Sequence, residues 1–209
     1  MDLNKLQSKI WITEYLTISS STSNFASSFF PKLYNGNLKG LRLDEQRLTF
    51  NEFLFFTREL KQLFLVKSYI FYSNDIEVPY ENILANAPMV KYFGFKRTNM
   101  FYNFSKTVDE LFKIPTFKDL KYLACVGIFE SFDIVKLFEH LKKNRTTCAS
   151  LSFSGQISDQ YKENLERIVN EILDAESPRA YIPPFIDFAE QVRHTQSALY
   201  NLYLVYRYR

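Results

Sequence analysis

The residues of this chain that could perform catalysis are few and widely spaced. There are two histidines, His140 on a predicted amphipathic helix and His194 four residues after Glu190. A tetrahedral metal site needs more ligands than one histidine and one carboxylate, and no Cys/His cluster has ligand spacing. We therefore interpret both histidines as exposed helix side chains.

The remaining reactive side chains also have simpler interpretations. Asp133, Glu139 and Asp187 could act as an acid and a base, but solvated acidic side chains are far commoner. Cys125 and Cys148 fall at apolar positions of the sequence pattern, where a thiol packs as a small hydrophobic group. With five glycines, the chain has no glycine-rich phosphate loop. The sequence thus predicts a protein that is not an enzyme and has no catalytic residue, cofactor or metal.

Composition limits the class of protein further. The chain has 209 residues, of which 46% are hydrophobic and 17% aromatic, and this content excludes a disordered tail. Its net charge of +3 is small for a protein that neutralises many phosphates. No apolar run is long enough for a signal peptide or a transmembrane helix. We expect a cytoplasmic or nuclear protein that does not bind membranes.

A pattern of three apolar anchors, L-x-x-L-x-L in its regular form, recurs along the chain. It is found in the segments LKGLRL, LKQLFL, VKYFGF, LKYLAC, CASLSF and LYNLYL, which begin at Leu38, Leu60, Val90, Leu120, Cys148 and Leu199. Their starts are separated by 22, 30, 30, 28 and 51 residues, the last interval being about two units. A recurring motif with such a period is typical of a solenoid, in which each repeat buries its apolar face against its neighbours.

The first repeats extend to the longer pattern of the leucine-rich repeat, L-x-x-L-x-L-x-x-N/C-x-L. Gln46, Ser68 and Thr98 occupy the position at which regular repeats carry asparagine. That asparagine bonds the backbone of the turn, so its absence predicts irregular geometry. The region from Leu38 to Arg209 resembles a divergent leucine-rich-repeat protein.

The phrasing of two segments, ENILANAPMVKYFGF and FKDLKYLACVGIFESFDIVKLFEHL, also resembles the repeat regions of the nematode F-box-associated families. Proteins of this kind act as substrate receptors in ubiquitin ligases, with the repeats holding the target. The F-box itself is not seen, because residues 1–36 are shorter than that module and lack its Leu-Pro opening. The resemblance implies the substrate-recognition part of such a receptor, or a fragment of a longer F-box protein.

These patterns predict an α/β leucine-rich-repeat-like solenoid, a right-handed arc with parallel strands on its concave face and helices on its convex face. Residues 1–36 form an N-terminal cap, in which 5–18 is either a helix or an edge strand, and 37–209 form the solenoid, as a single domain overall. The helix patterns cover 51–58, 80–87, 105–112, 131–143 and 158–176, with Ser158 as the N-cap of the last. The run 200–209 alternates in the manner of a final edge strand.

Lysine follows the first anchor in four successive repeats, at Lys39, Lys61, Lys91 and Lys121. Neighbouring strands lie about 4.8 Å apart, so these side chains should form a ladder along the sheet. The ladder could protect the sheet from edge pairing or could bind an acidic partner. Both interpretations remain open at the level of sequence.

Aromatic side chains occupy the positions between anchors that should face the concave side. Phe64, Tyr92 and Tyr122 stand near small residues, as in an interface hot spot, unless a loop or the N-terminal segment covers them. We therefore expect a non-enzymatic protein-interaction scaffold whose partner contacts these aromatics and the neighbouring lysines. The alternative is a nucleic-acid-binding or regulatory α/β protein that uses the lysine ladder.

Overall fold

The computed structural model describes residues 8–35, 37–98 and 102–207. The chain divides into two compact units. The first comprises Met1–Lys96 and Ile114–Phe117, and the second comprises Arg97–Lys113 and Lys118–Arg209.

Both units contain strands and helices interspersed along the chain. The strands are β1 (Ile10–Trp11), β2 (Tyr15–Ser19), β3 (Leu33–Asn35), β4 (Gly40–Asp44), β5 (Arg47–Thr49), β6 (Gln62–Val66), β7 (Tyr69–Phe71), β8 (Tyr92–Lys96), β9 (Tyr122–Ile128), β10 (Cys148–Phe153) and β11 (Phe185–Asp187). The helices are α1 (Phe25–Phe29), α2 (Phe50–Leu54), α3 (Tyr80–Ala85), α4 (Thr107–Lys113), α5 (Pro115–Lys118), α6 (Ile134–Lys143), α7 (Asp159–Asp174) and α8 (Arg193–Arg207). No helix in the described ranges is both long and apolar enough to cross a membrane.

In the first unit, β2, β4, β6 and β8 pair in that order, and every pair is parallel. The register aligns Leu41 with Leu63 and Leu63 with Phe93, as the spacing of the anchors predicts. These anchors are at most 1% exposed, and burial of each contributes about 1.5–3 kcal/mol to folding. Helix α3 packs on this side of the sheet, where the Tyr80 ring stacks on Phe95 with 3.8 Å between centroids.

The second unit contains the parallel strands β9, β10 and β11, also in chain order. The structure thus confirms the parallel α/β class and the strands predicted at the first five anchor segments. One detail of the predicted alignment is wrong, because Leu151 pairs with Cys125 rather than with Leu123. The fifth segment is therefore shifted by two residues, a shift that keeps every side chain on its predicted face of the sheet.

The turn after β4 shows how the chain folds without the expected asparagine. Gln46 is 1% exposed, and its Nε2 donates to the carbonyls of Ser20 and Asp44 at 3.1 Å each, while its Oε1 accepts from the Ala26 amide at 2.9 Å. In the next turn, the Ser68 hydroxyl accepts a hydrogen bond from the backbone amide of Gln46 at 2.8 Å. Gln46 and Ser68 thus supply the buried side-chain bonds of these turns, and the paired strands of the first unit keep a regular register.

The helix predictions are largely confirmed. Helix α7 begins after Ser158, whose hydroxyl accepts from the Tyr161 amide, and Leu165, Ile168 and Ile172 form part of its buried stripe. Helix α6 begins three residues later than predicted, because Asp133 caps it. Helix α4 ends at Lys113, two residues before Pro115, and this proline is the first residue of α5. Proline is well tolerated there because the first turn of a helix leaves its amides without acceptors.

The predictions for the two ends of the chain have different outcomes. The segment that begins at Leu199, predicted as a sixth strand, lies within α8, as does the described part of the predicted edge strand 200–209. Leu199 and Tyr203 are four residues apart on one face of this helix, and both are buried. The strand position beside β10 is taken by β11, which the sequence did not indicate. At the other end, the described part of 5–18 contains β1, most of β2 and no helix, and β2 is the edge strand of its sheet, so the edge-strand alternative is confirmed.

Candidate protein-binding surface

The first unit presents a sheet face that its helices leave uncovered, and we call it the open face. Side chains alternate across a strand, so the residues between the buried anchors all point to this side. Tyr15, Arg42 and Tyr92 are exposed on it, and Phe64 is half-buried. The register places Gln62 beside Tyr92 and Phe64 beside Gly94. Phe64 and Tyr92 are therefore diagonal neighbours, and one ligand lying on the sheet could contact both side chains.

A depression lies on the open face over β2, β4 and β6. Its volume is about 260 Å³, and its walls include Tyr15, Arg42, Gln62 and Phe64. The Tyr15 ring covers Gly40, where any added Cβ would overlap the ring. The small residue at Gly40 thus lets an aromatic ring lie flat on the backbone and form one wall of the depression.

Charge on the open face is partly neutralised within the chain. The Arg42 guanidinium contacts both carboxylate oxygens of Asp44, with Nε to Oδ2 at 3.1 Å and Nη2 to Oδ1 at 2.9 Å. This ion pair orients the planar Arg42 group at the edge of the depression. Arginine and aromatic side chains are both enriched in protein interfaces.

The predicted lysine ladder lies along the edge where the strands begin, and we call this edge the rim. The backbone amide of Lys61 donates to the Lys39 carbonyl, and that of Lys91 donates to the Lys61 carbonyl, both at 2.8 Å. Glu14 lies beside Lys39 at the end of this row of lysines. Its carboxylate pairs with Lys39 Nζ at 2.5 Å and raises the pKa of Lys39. Lys61 is exposed and Lys91 is half-buried. In the first unit, the lysines therefore line the margin of the open face and not its centre.

The other two predicted site residues, Lys121 and Tyr122, belong to the second unit. Lys121 is exposed, and its carbonyl accepts from the Cys148 amide at 2.9 Å. Tyr122 is half-buried, and the Arg207 guanidinium of α8 lies over its ring at 5.0 Å from the centroid. Helix α8 thus reaches the side of this sheet on which Tyr122 lies.

Further contacts of α8 explain why the second unit offers less open surface. The Phe185 ring lies 5.9 Å from Tyr203 between centroids, and Gln196 donates to Asp187 at 2.5 Å. Burial raises the pKa of Tyr203, with Tyr122 as the next cause, and burial also raises the pKa of Cys148. The Tyr203 hydroxyl and the Cys148 thiol therefore stay neutral, because both are buried where α8 packs on the sheet. The sequence had left open that an aromatic of this face is covered, and for Tyr122 the cover is the C-terminal helix.

The residues considered for catalysis have structural roles. The Asp133 carboxylate caps α6, Glu139 pairs with Lys142 at 2.6 Å, and Asp187 accepts from Ser152 at 3.0 Å. His194 is exposed on α8. His140 is half-buried and not exposed as predicted: it stacks on the Phe112 ring, and its pKa is lowered by burial and by the nearby Lys118 and Lys143.

Neither cysteine is in a reactive setting, and both are free thiols that are buried. Burial raises the pKa of Cys125 well above its usual range, so the reactive thiolate is disfavoured. Across the ranges that the structure describes, no three His, Cys, Asp or Glu side chains are grouped so as to hold a metal ion.

No protein-family model matches the chain, and neither a curated protein nor a solved structure matches it. Any assignment of function therefore depends on the surface itself.

Sequence reasoning missed Tyr15 as a member of the open face. Leu16 and Ile18 align with Leu41 and Leu43, so β2 carries the last two anchors of the repeat pattern. The sequence signal for this strand is the pair of apolar anchors in the segment YLTIS, Leu16 and Ile18. The position of the first anchor, three residues before Leu16, holds Thr13. Because Thr13 is not apolar, this segment does not match the full anchor pattern, and the side of the sheet on which Tyr15 lies could not be predicted.

Proposed function

We propose that this chain is a non-enzymatic protein-interaction scaffold of the leucine-rich-repeat-like solenoid class, which holds a protein partner on the open face. The observation that carries the proposal is the set of exposed or half-buried Tyr15, Arg42, Phe64 and Tyr92 on one sheet face in matched register. Aromatic and arginine side chains grouped around a depression supply most of the binding energy in protein interfaces.

The order of the elements supports the solenoid part of the proposal. Parallel strands follow one another in chain order, and buried turn residues recur at Gln46 and Ser68. In such an architecture each repeat contributes one strand to an extended surface, so binding residues recur at the same strand positions. By its resemblance to F-box-associated repeats, we extend the proposal to substrate recognition in a ubiquitin ligase.

The test is an affinity capture with matched variants as baits. Phe64→Ala and Tyr92→Ala should leave folding intact, because neither side chain is an anchor, and should each weaken binding of the true partner by about 2 kcal/mol or more. Tyr34→Ala is the matched control, since Tyr34 is 68% exposed on β3 and lies outside the open face.

A partner is then a protein that the parent chain and Tyr34→Ala retain and that the two open-face variants lose. Its affinity should be measured by calorimetry with each purified variant. Recovery of ubiquitin-ligase adaptors would support the receptor role. If the open-face variants capture the same proteins with unchanged affinity, or lose stability instead of affinity, the proposal is wrong.

The runner-up is a nucleic-acid-binding protein that uses the lysine rim, and the in-register Lys39, Lys61 and Lys91 favour it. Glu14 opposes it, because its carboxylate already pairs with Lys39. Salt separates the two functions, since binding to phosphates weakens steeply as salt rises, whereas an aromatic interface is much less sensitive. Affinity for RNA or DNA that falls linearly on a logarithmic salt scale would favour the runner-up.

A further inference from the structure

Not all basic side chains around the open face have an internal partner. Glu14 pairs with Lys39, and Asp44 pairs with Arg42. Lys61, before β6, and Lys96, at the end of β8, are both exposed, and neither makes an ion pair with any residue in the described part of the chain. Two unneutralised ammonium groups thus remain at the margins of this face.

These two lysines bracket the apolar part of the face. Lys61 directly precedes Gln62, and Lys96 pairs in register with Val66, so the two lie at opposite ends of the neighbouring strands β6 and β8. Five residues of strand separate these ends, which is about 16 Å at 3.3 Å per residue. Phe64 lies between them, beside the depression that it lines with Arg42.

An extended polypeptide laid along β6 and β8 would meet these groups in a fixed order. The bound polypeptide rises by the same distance per residue as the strands beneath it. About five of its residues therefore span the distance from Lys61 to Lys96. A side chain at its middle would lie over Phe64, at the mouth of the depression. Residues two or three positions away on either side would lie near an ammonium group.

We propose that the open face recognises an extended acidic segment of another protein, with one apolar side chain in the depression and an acidic residue two or three positions away on each side. The inference rests on the proposed function and specifies its partner. The apolar side chain supplies the contact with Phe64 and Tyr15. The two carboxylates neutralise Lys61 and Lys96 and orient the segment along the strands.

The first experiment selects ligands without assuming their identity. A displayed library of short random peptides is enriched on the full-length chain, with the Phe64→Asp/Tyr92→Asp variant used to remove peptides that bind elsewhere. Enriched peptides should share a central apolar residue with Asp or Glu on both sides. A neutral or basic consensus among peptides that need the open face overturns the inference and leaves the proposed function standing.

Failure of the proposed function gives a different result. If every peptide that binds the parent chain also binds the Phe64→Asp/Tyr92→Asp variant, so that none survives the subtraction, the open face is not a protein-binding surface, and both proposals are wrong. Circular dichroism of the variant establishes that it is folded before it is used. If it is not, Tyr92→Ala replaces it in the subtraction step.

The second experiment tests the two lysines with the best enriched peptide, labelled for fluorescence anisotropy. Lys61→Glu/Lys96→Glu should weaken binding about tenfold or more, because each attraction becomes a repulsion. The control Lys9→Glu/Lys106→Glu makes the same change of net charge at exposed lysines outside the open face and rim, and should leave the affinity within about twofold. Equal loss in both variants would mean that only overall charge matters, and the inference would then be wrong.

Labelled single-stranded RNA and duplex DNA of matched length form the last arm. The inference expects weaker binding of both nucleic acids than of the acidic peptide at physiological salt. Tighter binding of either one, with loss in Lys61→Glu/Lys96→Glu, would overturn it in favour of a nucleic-acid ligand.

Discussion

Removing the side chain of Gln46 should destabilise the protein far more than its polar character suggests. Its Oε1 accepts from the Ala26 amide at 2.9 Å, and its Nε2 lies within 3.1–3.3 Å of the carbonyls of Ser20, Thr22, Asp44 and Glu45. An amide has only two N–H groups, so these four carbonyls share two hydrogens.

The magnitude follows from what Gln46→Ala would leave behind. The Ala26 amide and the bonded carbonyls would lose their partner in a place where Gln46 itself is 1% exposed. A buried group without its partner costs about 1–3 kcal/mol, and at least two such groups result. Allowing for partial relaxation and water entry, we expect a loss of about 3 kcal/mol in the free energy of unfolding.

The assay is urea unfolding followed by far-ultraviolet circular dichroism, with Gln62→Ala as the matched control. Gln62 is half-buried on the open face, and its side-chain amide donates to the Tyr15 hydroxyl at 3.4 Å. This control should lose less than about 0.5 kcal/mol. A loss below about 1 kcal/mol for Gln46→Ala, with the unfolding slope unchanged, would refute the idea that this amide replaces the asparagine of a regular repeat.

Three further substitutions test the packing. Leu123→Ala should cost about 2–5 kcal/mol, because the side chain is 1% exposed and its loss leaves a cavity; a urea midpoint close to that of the parent would show that Leu123 is not part of the core. Gly127→Ala should cost several kcal/mol by the same assay, because Gly127 has φ of +82° and a new Cβ would overlap the Arg97 carbonyl. Gly40→Ala should cost less than about 1 kcal/mol, since the overlapping Tyr15 ring is an exposed side chain that can rotate away. Equal losses for the two glycine variants would contradict this distinction between backbone and side-chain obstruction.

The open face could be predicted in part from the sequence. Phe64 and Tyr92 were assigned to it because period-two alternation fixes the side of a strand on which a residue lies, once its buried neighbours are identified. Tyr15 was missed because its strand has no apolar first anchor. The pairing of Lys39 with Glu14 also could not be predicted, since the two are 25 residues apart and meet only through the register of β2 and β4.

Local sequence determined the elements whose own residues contain their signals. The anchors Leu41 and Leu43 specify a strand with one buried face, and Ser158 followed by an apolar stripe specifies the start of α7. Such signals are local because alternation and capping depend only on residues a few positions apart. For these elements the tertiary structure adds neighbours and does not change the type of secondary structure.

Tertiary structure decided the elements whose patterns fit two conformations. The segment from Leu199 satisfies both a strand and a helix, because its apolar residues recur at intervals of two, three and four. It is a helix because β11 pairs with β10, while Tyr203 gains a buried place beside Phe185. The exposure of Tyr92 and the partial burial of Tyr122 likewise depend on what covers each strand, and a covering element can come from any distance along the chain.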